Sequence, residues 1–94
     1  MSDIYTVLIK SSAEKQLKKL PTNIKLKIDK LIRSLSENPR PNNVKKLAGY
    51  DNAYRIRHAD YRIVYSIEDD KLIVEVIRVA HRNKVYKGLW TQFT

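Results

Sequence analysis

Tyr54-Arg55-Ile56-Arg57-His58-Ala59-Asp60-Tyr61-Arg62-Ile63-Val64-Tyr65-Ser66-Ile67 is the stretch whose reading decides the fold. Tyr61, Ile63, Tyr65 and Ile67 alternate with Arg62, Val64 and Ser66, the period of two expected of a strand with one buried face. Tyr54 to His58 alternates too, with Tyr54 and Ile56 on one side and Arg55 and Arg57 on the other. His58-Ala59-Asp60 is the turn between these strands. Glu68-Asp69-Asp70 turns again into Leu72 to Ala80, which is apolar on both faces apart from Glu75 and Arg78. That pattern predicts a central strand covered on both sides.

Working towards the N-terminus, the segment Pro39 to Ala53 shows no period and reads as one irregular loop of the length that often carries function. Before it, Ile24, Ile28, Leu31, Ile32 and Leu35 recur at helical spacing, with Thr22 as the cap and Asn38-Pro39 as the stop. A shorter helix carries Ala13, Leu17 and Leu20 on one stripe; Ser11 and Glu14 match a capping box, and Pro21 ends it. Ile4 to Ile9 is β-branched and aromatic, and opens the chain as a strand. Lys84 to Trp90 is compatible with a short closing helix. The fold class is therefore α+β, in the order β-α-α-β-β-β, with a helical hairpin packed on a small, mostly antiparallel sheet. At 94 residues the chain is expected to form a single domain over 1–94.

Composition narrows the chemistry. Nineteen Lys and Arg against ten Asp and Glu give a net charge of +9, which points to a polyanionic partner. The excess lies mainly in residues 1–50, where 11 basic face 4 acidic side chains. Cysteine is absent and histidine occurs twice, with no spacing suited to a metal, so no metal site and no cofactor are expected. Two glycines leave no phosphate-cradling glycine loop. No apolar run nears the roughly 20 residues of a membrane span, and no signal peptide is legible, so a cytoplasmic location without membrane association is expected.

What remains is a set of arginines within the strands. Arg55 and Arg57 share one face, Arg62 leads the next strand facing away from the Tyr61/Ile63/Tyr65 row, and Arg78 and Arg82 share a parity. Guanidinium groups on adjoining strands repel one another unless anions or carboxylates lie between them. Their planar, permanent charge suits phosphate oxygens, and surface pairing with Asp51, Asp60 or Glu75 is the structural alternative.

Lys46-Leu47-x-Gly49, Tyr54-Arg55-Ile56-Arg57, Tyr61-Arg62-Ile63-Val64-Tyr65 and Val79-Ala80-His81-Arg82-x-x-Val85-Tyr86 together resemble the RelE branch of the RelE/ParE toxin superfamily, from about Tyr5 to Tyr86. The resemblance implies the toxin of a type II toxin–antitoxin system. Such a toxin is an mRNA endoribonuclease that acts on mRNA in the A site of the 70S ribosome and is silenced by a cognate antitoxin. By the same resemblance, the catalytic set falls on Arg55, Arg62, Arg82 and Tyr86, with Arg57 beside it. His81 matches a histidine found in part of the family. Lys45, Lys46, Arg78 and Lys84 are expected to extend the RNA-binding surface.

A metal-free cut can use the RNA 2′-hydroxyl as nucleophile, with Arg62 and Arg82 on the phosphoryl oxygens, Arg57 on a neighbouring phosphate and Tyr86 stacked on a base. Where well-known members carry lysines, this chain has Arg55 and Arg57. Arginine is a poor general base, so His81 is a candidate proton carrier, with a structural hydrogen bond at the strand end as its alternative, and His58 is a weaker candidate at a hairpin corner. Two other readings stand beside it: a ParE-like poison of DNA gyrase, which shares the fold, and a non-catalytic RNA- or DNA-binding module, for which the charge of +9 alone would suffice.

Overall fold

The computed structural model describes residues 4–81. Its elements are β1 (Thr6–Ile9), α1 (Ser11–Lys18), α2 (Thr22–Ser34), β2 (Lys45–Lys46), β3 (Ala53–His58), β4 (Tyr61–Glu68) and β5 (Ile73–His81). They form one five-stranded sheet in the order β1-β5-β4-β3-β2. β1 runs parallel to β5, and the other neighbours are antiparallel. The α+β reading holds, with two helices on a mixed sheet. The closing helix expected over 84–90 lies outside the described residues.

One face of the sheet is covered by the helical hairpin. Ala13 and Leu17 of α1, and Ile28 and Ile32 of α2 with Leu35 just beyond it, meet Ile56, Ile63, Tyr65, Ile67, Val74, Val76 and Val79. These are the residues picked out by the two periodicities. Burying each Ile, Leu or Val stabilises the fold by roughly 1.5–3 kcal/mol before conformational entropy is subtracted.

Four local expectations change. Residues 39–53 are not one loop, because Lys45 and Lys46 pair with Arg55 and Tyr54 as a two-residue strand. Two lysines have no strand signature of their own; the edge of β3 recruits them. The capping box at Ser11 does not form, and Lys10 is the N-cap of α1 without a side-chain cap. The backbone accounts for this: Lys10 N–H donates to the Val76 carbonyl at 2.9 Å, so the end of the parallel ladder is also the first turn of the helix. Likewise Pro21, not Thr22, occupies the N-cap of α2.

The fourth change concerns β5. Val64 pairs with Arg78 but Tyr65 pairs with Val76, so Ile77 is an extra residue in a β-bulge. The bulge shifts the alternation by one, letting Val74, Val76 and Val79 all face the helices. Apolar residues at both parities thus reflect a phase change. Among the described residues, the helices cover only one face of the strand.

Candidate active site

The face of the sheet turned away from the helices follows from the register. Lys45 on β2, Arg55 on β3, Val64 on β4 and Arg78 on β5 are cross-strand partners in a row. Arg57, Arg62 and Ala80 form the next row. Directly paired residues point to the same side, so five cationic side chains from four strands share this face. With strands about 4.8 Å apart, the array is about 15 Å wide.

Its floor is a second apolar cluster of Leu47, Ala53, Val64 and Ala80, all buried. Small residues at three of these positions let the long arginine stems lie across the sheet while their charged ends reach water. Leu47 is carried there by the β2–β3 connection, where its N–H donates to the Ala53 carbonyl at 2.9 Å. Gly49 follows with φ of +84°, a left-handed conformation that side-chain-bearing residues adopt at a cost. The spacing Lys46-Leu47-x-Gly49 therefore has a physical cause: an anchor for the floor, then a turn.

Electrostatically, the face is under tension. Arg57 stands directly opposite Arg62, and like charges so placed are destabilising. Burial, then the charges of Arg62 and Arg57, push the Arg55 guanidinium below its ordinary pKa. Among the described residues, no carboxylate forms an ion pair with Arg55, Arg57 or Arg62. The Nε of Arg62 is buried and has no hydrogen-bond partner among them. An anion on this face would satisfy both the donor and the charge. Asn43, Lys45, Arg55 and Arg57 line a shallow depression of about 300 Å³ at the β2–β3 side.

The structure thus brings together Lys45, Arg55, Arg57, Arg62 and Arg78. Lys46 does not join them; it pairs with Tyr54, whose row faces the helices. His81 and His58 flank Tyr61 in the ladder, on the helix side as well. The His81 ring meets the Tyr61 ring edge-on at 5.2 Å between centroids. Arg82, Lys84 and Tyr86 lie outside the described residues. No three His, Asp or Glu side chains among the described residues come together as a metal site would require.

Sequence reasoning missed the clamp that anchors residues 39–40 on the helix side of the sheet. Arg40 donates from both terminal nitrogens to Asp69, at 3.0 and 2.8 Å, and from Nε to the Tyr54 hydroxyl at 3.2 Å. The Tyr5 hydroxyl donates to the same carboxylate at 2.6 Å, and the buried Tyr65 hydroxyl donates to the Pro39 carbonyl at 2.8 Å. Arg40 and the Tyr5 hydroxyl hold the Asp69 carboxyl down at a pKa of about 2. These bonds tie residues 39–40 to the β4–β5 turn and to the start of the chain. The sequence signal was faint: Pro39-Arg40-Pro41 marks a stiff segment, but its partner lies 29 residues away.

Comparison with known proteins agrees with this fold. Residues 7–86 match the family described as the ParE toxin of type II toxin–antitoxin systems, parDE. Toxin RelE3 of Methanocaldococcus jannaschii is 37% identical over 84 residues, covering 85% of this chain and 93% of that protein. The mRNA interferase toxin RelE of Escherichia coli is 34% identical over 74 residues, 77% of each chain. A chain in the crystal structure of the archaeal RelE–RelB complex from Pyrococcus horikoshii superposes with a TM-score of 0.77 at 27% identity, over 86% of this chain and 98% of that one. With its helical hairpin on a five-stranded mixed sheet, the chain belongs to the RelE/ParE superfamily as a RelE-like toxin of the type II toxin–antitoxin class.

Proposed function

We propose that this protein is an mRNA endoribonuclease whose arginine face binds and cuts ribosome-bound mRNA. The observation that carries the reading is the two rows of cations across β2 to β5, with no balancing carboxylate at Arg55, Arg57 or Arg62 among the described residues. The name of the Escherichia coli relative, an mRNA interferase, supports the same substrate.

In this reading the 2′-hydroxyl attacks the adjacent phosphorus and the bond to the 5′-oxygen breaks. The products are a 2′,3′-cyclic phosphate and a 5′-hydroxyl. Arg62 and Arg82 take the phosphoryl oxygens, Arg57 holds a neighbouring phosphate, Arg55 adds charge from the floor, and Tyr86 stacks on a base. Arg78 and Lys45 extend the track at its two ends, and Lys84 is a further RNA-binding cation. Because the register sets both histidines on the helix side, catalysis rests on alignment and charge; the 2′ proton passes to water, and the leaving 5′-oxygen takes a proton from water. No metal enters the scheme. The partners are mRNA, the 70S ribosome and a cognate antitoxin; the RelE–RelB complex of Pyrococcus horikoshii supports the last of these.

Purified protein incubated with mRNA, with and without translating ribosomes and in enough EDTA to strip trace transition metals, tests the reading. Ribosome-stimulated cuts ending in a 5′-hydroxyl are expected. Intact mRNA from folded protein contradicts it, and DNA breaks in a gyrase reaction would assign the ParE-like activity instead.

A further inference from the structure

We propose that Asn43 is a base-reading residue of this site, and that the Arg40–Asp69 clamp positions it. The inference rests on the nuclease reading above and adds a source of sequence preference to it. Among the described residues that line the depression, Lys45, Arg55 and Arg57 are cations. Cations on phosphates fix the register of a nucleic acid but carry no sequence information. Asn43 lines it beside them, and its amide offers two donor hydrogens and an acceptor oxygen side by side. That pair matches a base edge such as the N6/N7 edge of adenine. Asn43 is exposed, and its side chain makes no hydrogen bond among the described residues, so both halves of the amide are available to RNA.

A reading group must also be held still, and here the clamp acts. Arg40 is fixed on two sides, by the Asp69 carboxylate and by the Tyr54 hydroxyl, with its guanidinium 5.2 Å from the Tyr54 ring centroid. Pro39 is pinned by Tyr65, and Val44 N–H donates to the Pro41 carbonyl at 3.1 Å, closing a turn. Lys45 then enters the ladder opposite Arg55. Residues 39–45 are thus anchored at both ends, with Asn43 inside the turn and lining the same depression as the cations. The depression, at about 300 Å³, is at the small end of ligand sites, which suits one nucleotide unit.

The test is a map of cut positions. Wild type, Asn43→Ala and Arg40→Lys are each given the same pool of translated mRNAs, and the 5′ ends are sequenced. In Asn43→Ala the preference among bases at the cut is expected to flatten by about tenfold, while the melting temperature stays near wild type. Arg40→Lys keeps the charge but loses the two-pronged grip. It is expected to flatten the same preference, and the double variant to flatten it no further. An unchanged base preference in Asn43→Ala, from an enzyme whose wild type cuts selectively, overturns the proposal and leaves the nuclease reading standing. Absence of cuts from the wild type itself defeats the nuclease reading first.

Discussion

Arg62 sets stability against function most sharply. It faces Arg57 across the ladder, and its buried Nε lacks a partner among the described residues. Replacing it by Met keeps an apolar stem over the floor and removes both conflicts. Arg62→Met is therefore expected to be as stable as wild type, or up to about 1 kcal/mol more stable, in urea unfolding; a loss of 2 kcal/mol or more would show that a hidden partner satisfies it. Tyr65 behaves in the opposite way. Fully buried, it gives its hydroxyl to the Pro39 carbonyl, and Tyr65→Phe leaves that acceptor with nothing, for a cost of about 1–2 kcal/mol by the same assay. Asp69 adds a pH dependence. Its folded pKa of about 2 lies below the ordinary value of 3.8, so its contribution is complete above about pH 4 and is lost as the pH falls towards 2. Acid titration of Asp69→Asn should show a shallower loss of stability in that window than wild type does; parallel curves would remove Asp69 from the account.

Among the elements, those with a clear period were the legible ones. Alternation in Tyr61 to Ile67 and the helical stripe from Ile24 to Leu35 each name their buried face without help from tertiary structure. What was not legible has no local cause. β2 exists because β3 offers an edge, and the bulge at Ile77 exists because β5 must serve the helices on both sides of a phase change. Asn43 and Arg40 stood in a segment without a period, so nothing in the sequence brought them to the site. The β3–β4 turn makes a prediction of its own. Ala59 has φ of +52°, which strains a residue with a Cβ by roughly 1–2 kcal/mol, against about 0.4–1 kcal/mol of extra unfolded-chain entropy for glycine. The strain is the larger effect, so Ala59→Gly should raise stability by about 0.5–1 kcal/mol; a fall would mean the turn tolerates alanine freely.

For the whole molecule, the two faces of one sheet divide the labour. The helix side holds the main apolar core, and the other side holds a four-residue floor under a field of cations. Among the described residues, no helix is long and apolar enough to cross a membrane. The net charge of +9 favours a polyanionic partner. If Lys45, Arg55, Arg57 and Arg62 each meet one phosphate, single-stranded RNA affinity should fall about fifty-fold between 50 and 200 mM salt, and removal of one cation should lessen the log–log slope by about 0.7. A slope near zero would contradict the phosphate track.

The measurement closest to the central claim compares mRNA cleavage on translating ribosomes by wild type, Arg62→Met and Lys71→Met. Lys71 loses the same charge but lies in the β4–β5 turn beside Glu68, away from the arginine rows. The account predicts a roughly 10²–10³-fold loss of rate for Arg62→Met at unchanged stability, with Lys71→Met close to wild type. Equal rates for all three proteins would contradict it.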